Sequence, residues 1–391
     1  MNSSQNKKKL VVITSRFPFP LEKGDKLRAY YQIKELAIYY DVHLIALTEK
    51  DIATSDQDEL TPFCKSITLV KISFTARWFF TFLQFFGNKP FQIGYFTSYK
   101  KKKQVKGILE SLKPDHIYCQ LIRPAEYVKD YHACDKTIDY MDALSKGIER
   151  RFETAPWYKK PFFKAEFERL RQYEHKIFDY FEQHTIISEQ DKNVIFHKER
   201  STIKVIPNGV DQSFFSYQNK QNKQFDLVFT GNMNYPPNIE ASKFIVSQIL
   251  PKLPSMHLVL AGANPAEEIK KLHSGNVTVT GWVEDIKAVY LAGKIFVAPM
   301  FIGTGLQNKL LEAMALGIPC ITTTLANNAL NAIPNESILI ANTKEEFVEA
   351  INRLMKDQKS YEMLAQNGKA FVLENYNWQS ATKLLIDLIE G

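Results

Sequence analysis

Two α/β domains, each a mostly parallel sheet covered by helices, are what this sequence predicts. Three observations carry the prediction. Short apolar runs alternate with amphipathic helical stretches along nearly the whole chain, and such alternation builds parallel sheets through crossover helices. A polar, low-complexity stretch at Gln212–Gln224, containing Y-Q-N-K-Q-N-K-Q, interrupts that alternation near the middle. The strand–loop–helix pattern then restarts at Asp226, and a chain of 391 residues is long enough for two domains. The expected boundaries are 1–205, a linker at 206–224, and 225–377.

In the first half, Leu10–Ser15 reads as a buried strand. R-F-P-F-P-L-E-K-G-D-K-L-R follows as a loop, then a helix over Asp25–Tyr40 with Leu27, Tyr30, Ile33 and Leu36 on its apolar face. Val42–Leu47 and Ile67–Ile72 are the next strands. This β-loop-α-β order opens a Rossmann-like half, without the G-x-G-x-x-G of a dinucleotide site. Gly24 either faces a ligand or only starts the helix. Ala76–Phe86 (A-R-W-F-F-T-F-L-Q-F-F) is far too short to cross a bilayer. It reads either as an interfacial element dipping into a membrane or as an aromatic helix packed on the sheet or lining an acceptor groove. Lys100–Lys103 begins a helix that continues to Leu112, a solvated face or one suited to an acidic membrane surface.

Asp115–Gln120 and Lys136–Asp139 are further strands. Ligands of parallel sheets bind at strand C-terminal ends. Gln120, Arg123, Asp139 and Asp142 are therefore candidate acceptor-side groups. Asp139 and Asp142 would suit acid/base work, while helix capping by Asp142 or Ser145 explains that segment as well. A long amphipathic helix covers 160–184. His184–Ser188 and Ile203–Pro207 are strands before the Asn-Gly turn of P-N-G-V-D. In the second half, strands are expected at Asp226–Thr230, His257–Ala261, Val277–Thr280, Ile295–Ala298, Cys320–Thr323 and Ser337–Ile340. Helices are expected at Ile239–Leu250, with Asn238 as N-cap, and at Lys344–Lys356, Ser360–Glu374 and Trp378–Glu390.

Charge and cysteine usage narrow the classes. Residues 1–205 hold 35 Lys+Arg against 26 Asp+Glu, and residues 206–391 hold 15 against 17, so the first half is the basic half. Its anionic partner would be a membrane leaflet, a phosphorylated acceptor or nucleic acid, unless the charge is only a solvated surface. Nucleic acid is disfavoured because the lysine run lacks interleaved aromatics or a known motif. Cys64, Cys119, Cys134 and Cys320 are scattered, which speaks against a zinc site or disulfide framework and for a reducing, cytoplasmic setting. Lys7–Lys9 precede a strand rather than a signal-peptide core.

The chemistry concentrates at Gly303–Pro319, G-T-G-L-Q-N-K-L-L-E-A-M-A-L-G-I-P. Gly303 and Gly305 punctuate a loop after a strand. From Leu306 the residues favour helix, which Gly317 and Pro319 end. Helix N–H groups above a sheet edge form an anion site, with a phosphate as the natural guest. Lys309 adds a charge in the first turn, and Glu312 follows one turn later.

These segments carry a family resemblance over nearly the whole chain. I-P-N-G-V-D, F-T-G-N-M, V-T-V-T-G-W-V-E-D, L-L-E-A-M-A-L-G-I-P and Tyr376-Asn377-Trp378, in this order, resemble the retaining glycosyltransferases of family 4. F-P-F-P-L-E-K-G-D-K-L-R is similar to a subgroup of sugar transferases of bacterial polysaccharide biosynthesis. The resemblance implies a GT-B fold, two Rossmann-like domains facing a central cleft, with the helix at 378–391 packing back on the first. It implies a nucleoside diphosphate sugar as donor and co-substrate, no other cofactor and no metal. Glu312 would hold the ribose hydroxyls, and the N–H groups around Leu306, Gln307 and Asn308 the diphosphate. Asn232 lies in the loop that opens the donor domain. Trp282 and Val283 match the region contacting the base, and Gly24 the glycine loop reaching the donor phosphate. Two departures stand out. Thr304 occupies the position of the family's first glutamate. The loop N-M-N-Y-P-P-N lacks the family's two cations, so Lys309 is the expected replacement, with Arg16, Lys23, Lys26 and Arg28 as secondary candidates.

The reaction so implied moves a sugar to a hydroxyl of a glycan or lipid-linked acceptor with retention, through stabilisation of charge on the leaving diphosphate. The protein would be cytoplasmic or peripheral on the inner membrane face. Two other readings remain open. One is a catalytically silent nucleotide- or partner-binding subunit of a glycan assembly complex. The other is an epimerase, which would need a histidine near the donor, and the second half offers only His257 and His273.

Overall fold

Among the described residues, β-branched and aliphatic runs form thirteen strands in two sheets. The computed structural model describes residues 7–217, 223–302 and 305–391. The first sheet holds β1 (Lys9–Thr14), β2 (Asp41–Thr48), β3 (Ser66–Lys71), β4 (His116–Gln120), β5 (Asp135–Asp139), β6 (Gln183–Ile186) and β7 (Lys204–Val205). The second holds β8 (Phe225–Thr230), β9 (Leu258–Ala261), β10 (Val277–Gly281), β11 (Gly293–Ala298), β12 (Cys320–Thr322) and β13 (Leu339–Ile340). Their orders are β3-β2-β1-β4-β5-β6-β7 and β10-β9-β8-β11-β12-β13. Every pairing is parallel. In each sheet the order reverses beside the first strand, which is where α/β sheets open a ligand crevice.

The helices of the first sheet are α1 (Gly24–Leu36), α2 (Thr54–Asp58), α3 (Phe74–Leu83), α4 (Phe91–Phe96), α5 (Tyr99–Leu112), α6 (Leu144–Thr154), α7 (Lys160–Phe178) and α8 (Glu189–Lys192). Those of the second are α9 (Gln212–Ser216), α10 (Pro236–Phe244), α11 (Glu267–Lys270), α12 (Ile286–Ala292), α13 (Asn308–Ala315), α14 (Thr324–Leu330), α15 (Lys344–Lys356) and α16 (Gln358–Asn375). The chain then enters α17 (Trp378–Glu390). The period of two along a strand decides what each sheet face buries. Leu10 and Val12 of β1 join Ile33 and Leu36 of α1 in one core, while Val11 and Ile13 join Val105 and Leu109 of α5 in another. Ala381, Leu385 and Ile386 of α17 complete the α1 side, so this last helix belongs to the first sheet. The compact units are Met1–Pro207 with Gln379–Gly391, and Asn208–Trp378.

Several expectations change. The linker stretch contains α9, whose N-terminus Asp211 caps through Ser213 N at 2.9 Å. Residues 218–222 of that stretch lie outside the described residues. The helix expected over 160–184 stops at Phe178, and Gln183 already pairs in β6. Asn238 is not an N-cap. Proline sits in the first turn of α10, where a missing N–H costs nothing, so the helix begins at Pro236 and Asn238 lies inside it. Neither Asp142 nor Ser145 caps α6 by its side chain. Instead Glu174 of α7 accepts from Ser145 N at 2.9 Å and Ser145 Oγ at 2.5 Å, a cap supplied from 29 residues away. The helix at Ala76–Phe86 does not pack its rings on the sheet. The residue α3 buries fully is Arg77, and Phe74, Trp78, Phe79 and Phe82 are exposed.

Candidate active site

The site in the second unit is assembled around α13. Its helix formers begin at Asn308, two residues later than the sequence suggests, and no side chain caps it. Gln307 turns back to donate to Gly305 O at 2.9 Å. The N–H groups of Asn308 and Lys309 therefore have the first-turn geometry that receives anions. Asn308 Oδ1 accepts from Asn208 Nδ2 at 3.2 Å, which ties the turn to the P-N-G-V-D segment. Gly317 ends the helix at φ +70. Its N–H donates to Met314 O at 2.9 Å and Ile318 N to Ala313 O at 3.0 Å, the paired bonds of a Schellman closure. Gly303 and Thr304 lie outside the described residues.

Lys309 and Glu312 stand one turn apart on α13 and do not bond each other. Lys309 Nζ donates to Asn238 Oδ1, lies 4.0 Å from Met300 Sδ, and sits 5.0 Å from the centre of the Phe229 ring. Asn238 Nδ2 in turn donates to Asn232 O at 2.9 Å, and Asn232 Oδ1 accepts from Asn234 N at 3.0 Å. The loop after β8, which carries no cation of its own, is thereby fastened to the lysine of α13. Glu312 Oε2 accepts from the Tyr290 hydroxyl at 2.7 Å, and Thr230 Oγ1 donates to that hydroxyl, also at 2.7 Å. Both charged side chains keep a fraction of their surface in solvent, with protein on most sides. Desolvation disfavours charge on either. It pushes Lys309 down to about 7 against the pull of Glu312. It pushes Glu312 up to about 7, opposed by the Tyr290 hydrogen bond and by Lys309.

Backbone crowding explains why this loop has the shape it has. Gly231 (φ +151) and Gly262 (φ +144) both occupy conformations that L side chains rarely adopt. A Cβ on Gly262 would lie 1.7 Å from Gly231 O. The two glycines let the loops after β8 and β9 touch, which holds Asn232 and Asn238 beside α13. At the end of β10, Trp282 is 72% exposed and Val283 half-buried, a free aromatic face where the base-contacting region was expected. Gly305 and Leu306 belong to the loop before α13, and Leu306 packs on the core.

The acceptor-side candidates of the first unit divide sharply. Arg28 and Asp139 are a fully buried ion pair, Nε to Oδ2 at 2.6 Å and Nη2 to Oδ1 at 3.2 Å. Asp139 also accepts from Tyr118 at 2.9 Å, Thr185 at 3.0 Å and Met141 N at 3.3 Å. Both are structural, and neither is the acceptor-facing group the sequence suggested. Gln120 is buried and donates to Asp25 O at 2.8 Å, so it too fixes the start of α1. Arg16 pairs with Asp25, and Lys26 with Glu22 at 3.2 Å. Lys23 precedes α1 as its N-terminal flank. Arg123 donates to Gln92 Oε1 at 3.0 Å and lies 5.4 Å from the Phe96 ring centre. Asp142 and Lys23 are exposed, and desolvation of the Asp142 carboxyl, with the Asp191 charge next, raises it to about 6. Gly24 begins α1, and a Cβ there would meet Met141 Cε at 3.3 Å. His257 stands beside Asp226 at the N-terminal end of β9, and His273 accepts from Val279 N at 3.4 Å, so neither histidine joins the α13 cluster. Sequence reasoning missed Asn238, Tyr290 and Thr230. Only Asn238 left a signal, as a buried-type polar residue after two prolines in a loop expected to bind phosphate.

Comparison with known proteins agrees with this geometry. Residues 224–357 match the family described as Glycosyl transferases group 1. The chain is 22% identical, over 94% of its own length and 96% of the other, to an uncharacterized 44.6 kDa protein in the cps region of Klebsiella pneumoniae. It is 27% identical, over 45% of this chain and 50% of the relative, to the UDP-Gal:alpha-D-GlcNAc-diphosphoundecaprenol alpha-1,3-galactosyltransferase of Escherichia coli. Among solved structures, sucrose-phosphate synthase from Thermosynechococcus elongatus superposes with a TM-score of 0.72 at 16% identity, covering 98% of each chain. Anabaena HepE in complex with UDP and glucose superposes with a TM-score of 0.71 at 13% identity, covering 98% of this chain and 99% of that one. The fold is GT-B, and the match to the group 1 glycosyltransferases falls within the second unit.

Proposed function

We propose that the protein is a glycosyltransferase of cell-surface polysaccharide biosynthesis. It moves a sugar from a nucleoside diphosphate sugar to a hydroxyl of a glycan or lipid-linked acceptor, with retention of configuration and without a metal. One observation carries the reading. Lys309 and Glu312 share one face of α13, each desolvated toward a pKa of about 7, and among the described residues each is held by neutral partners rather than by the other. Such a pair has unsatisfied capacity of both signs. The lysine and the first-turn N–H groups suit the diphosphate, where charge develops as the bond to the sugar breaks. The carboxylate suits two adjacent ribose hydroxyls, since its two oxygens accept several hydrogen bonds. Trp282 offers a stacking face for the base. A similar galactosyltransferase takes its sugar from UDP and HepE is solved with UDP, which makes a uridine nucleotide the first donor to test.

The fastening of Lys309 to the loop after β8 places a cation beside a loop that has none of its own, which favours the enzyme over a silent subunit. The test is release of nucleoside diphosphate from a panel of UDP-sugars, with polyprenyl-diphosphate-linked and free sugar acceptors, in buffer with and without a chelator. Turnover that survives chelation and forms the anomer of the donor supports the proposal. Tight nucleotide binding with no turnover on any acceptor would assign the protein to the silent class.

A further inference from the structure

The geometry points to a second functional surface, on the first unit and separate from the nucleotide chemistry: we infer that α3 and the first turn of α5 form a docking face for an anionic lipid bilayer. α3 is turned inside out. Arg77 is its buried residue, donating to Ile72 O at 3.2 Å, paired with Glu49 at 3.1 Å, and lying 5.0 Å from the Tyr95 ring centre. Phe74, Trp78, Phe79, Phe82, Phe85 and Phe86 are all more than half exposed. A soluble helix buries its aromatic face and solvates its charge. Here the arrangement is reversed, and the outward rings form a seam, with Phe74–Trp78 centroids 6.0 Å apart and Phe82–Phe86 5.8 Å apart. Contiguous exposed apolar surface of this kind marks an interaction site.

Charge identifies the occupant. Residues 60–109 contain nine Lys and Arg and no Asp or Glu. The Phe80 ring meets Tyr99 at 5.8 Å, which sets the first turn of α5, with exposed Lys100 and Lys103, next to the ring seam. Rings that immerse below the headgroup level and lysines that meet anionic headgroups are the two components of interfacial binding. A second copy of this face would bring cations against cations, so self-association is opposed by the same charge. At ten residues α3 is about 15 Å long, half a bilayer core, so it lies in the interface and does not span it. The inference stands on these residues alone and does not depend on the nucleotide site.

The test is flotation of the full chain with phosphatidylcholine vesicles, with and without 30% phosphatidylglycerol, at low and high salt. The expected result is at least tenfold stronger association with anionic vesicles, weakened by salt. Phe79→Ser/Phe82→Ser/Phe86→Ser should lower it tenfold or more, and Lys100→Gln/Lys103→Gln should remove most of the preference for anionic lipid. Both variants should keep the parent melting temperature and nucleoside diphosphate affinity, because the altered side chains are exposed and lie in the other unit. Vesicle binding that ignores the ring substitutions, or no binding by the parent protein, overturns the inference. So does a dimer in light scattering that the ring substitutions disperse, which would assign the face to self-association.

Discussion

Replacing Lys309 by Met should weaken nucleoside diphosphate binding, and by an amount that depends on pH. A hydrogen bond from a charged donor contributes about 1.5–3 kcal/mol, or roughly 10- to 150-fold in affinity. The full value is available only while Lys309 carries its proton. Burial has lowered its pKa to about 7, so in the free protein it is charged at pH 6 and mostly neutral at pH 8. A diphosphate at van der Waals contact restores the proton. Taking that proton up at pH 8 costs about 1.4 kcal/mol, one pKa unit's worth, and costs almost nothing at pH 6. The ratio of parent to Lys309→Met affinity should therefore shrink about tenfold between pH 6 and pH 8.

Isothermal titration with UDP in two buffers of different ionisation enthalpy reads the proton directly. At pH 8 the free nucleotide is fully ionised, because a phosphate's second pKa is about 6. Glu312, raised to about 7, is also mostly ionised there. The uptake measured at pH 8 then belongs to Lys309 and should approach ~0.9 proton per site, falling to none in Lys309→Met. At pH 6 the sign reverses, since Glu312 must give up its proton to accept the ribose. Glu312→Gln should remove that part of the release. An affinity ratio that is flat in pH, no proton uptake at pH 8, or a Lys309→Met effect below twofold would refute the assignment of Lys309 to the diphosphate.

The other predictions test the supports of the site and of the fold. Tyr290→Phe removes the hydrogen bond that lowers the Glu312 pKa, so that pKa should rise further. The acid-side fall in nucleotide affinity should then begin at a higher pH than in the parent, measured by titration across pH 5–8. Gly262→Ala places a Cβ 1.7 Å from Gly231 O, with φ +144 besides. More than about 4 kcal/mol of destabilisation is expected, read as loss of the soluble second unit or a collapse of its unfolding transition. Asp139→Ala leaves the Arg28 guanidinium buried without its carboxylate. It should cost about 3–5 kcal/mol of stability in denaturant unfolding of the chain, while UDP affinity in the second unit stays within twofold.

Much of the architecture was legible because strands and helices of parallel sheets leave periodic signals. Lys344–Lys356 and Trp378–Glu390 fall at the ends the sequence implies, each with an apolar stripe along one face. The helix over Leu144–Thr154 left a weaker signal. Its turn-opening positions lack a cap residue because Glu174 supplies the cap from another helix. The role of Arg28 and Asp139 was illegible for a similar reason. They are 111 residues apart, and a carboxylate at a strand's C-terminal end looks the same in sequence whether it meets substrate or a buried guanidinium. Lys309 could be singled out because one strand–loop–helix unit contains both it and the turn proposed to receive an anion. Its anchor Asn238 was visible as a residue and misread as a cap. At Ala76–Phe86 the period of the rings establishes a face and cannot say what solvent that face meets. Burial of Arg77 shows only that the ring face is turned outward.

The contrast between Asp139 and Glu312 explains why one carboxylate is assigned to the fold and the other to chemistry. A carboxylate has about four lone-pair sites. Those of Asp139 are met by Arg28, Tyr118, Thr185 and Met141 N, which leaves nothing for a ligand. Glu312 has one protein donor, Tyr290, and Lys309 has one oxygen acceptor among the described residues, Asn238. Desolvated groups left this short of partners disfavour their charged states, and both pKa values move toward neutrality for that reason. A fold stabilised by these groups would have joined them as an ion pair at a distance of one helical turn. Keeping them apart costs stability in the free protein, and under the proposed function a nucleotide that presents two negative phosphates to one and two hydroxyls to the other would recover that cost on binding. The incomplete satisfaction of this pair, more than the presence of either residue, is what favours the proposed donor site over a surface helix carrying a lysine and a glutamate.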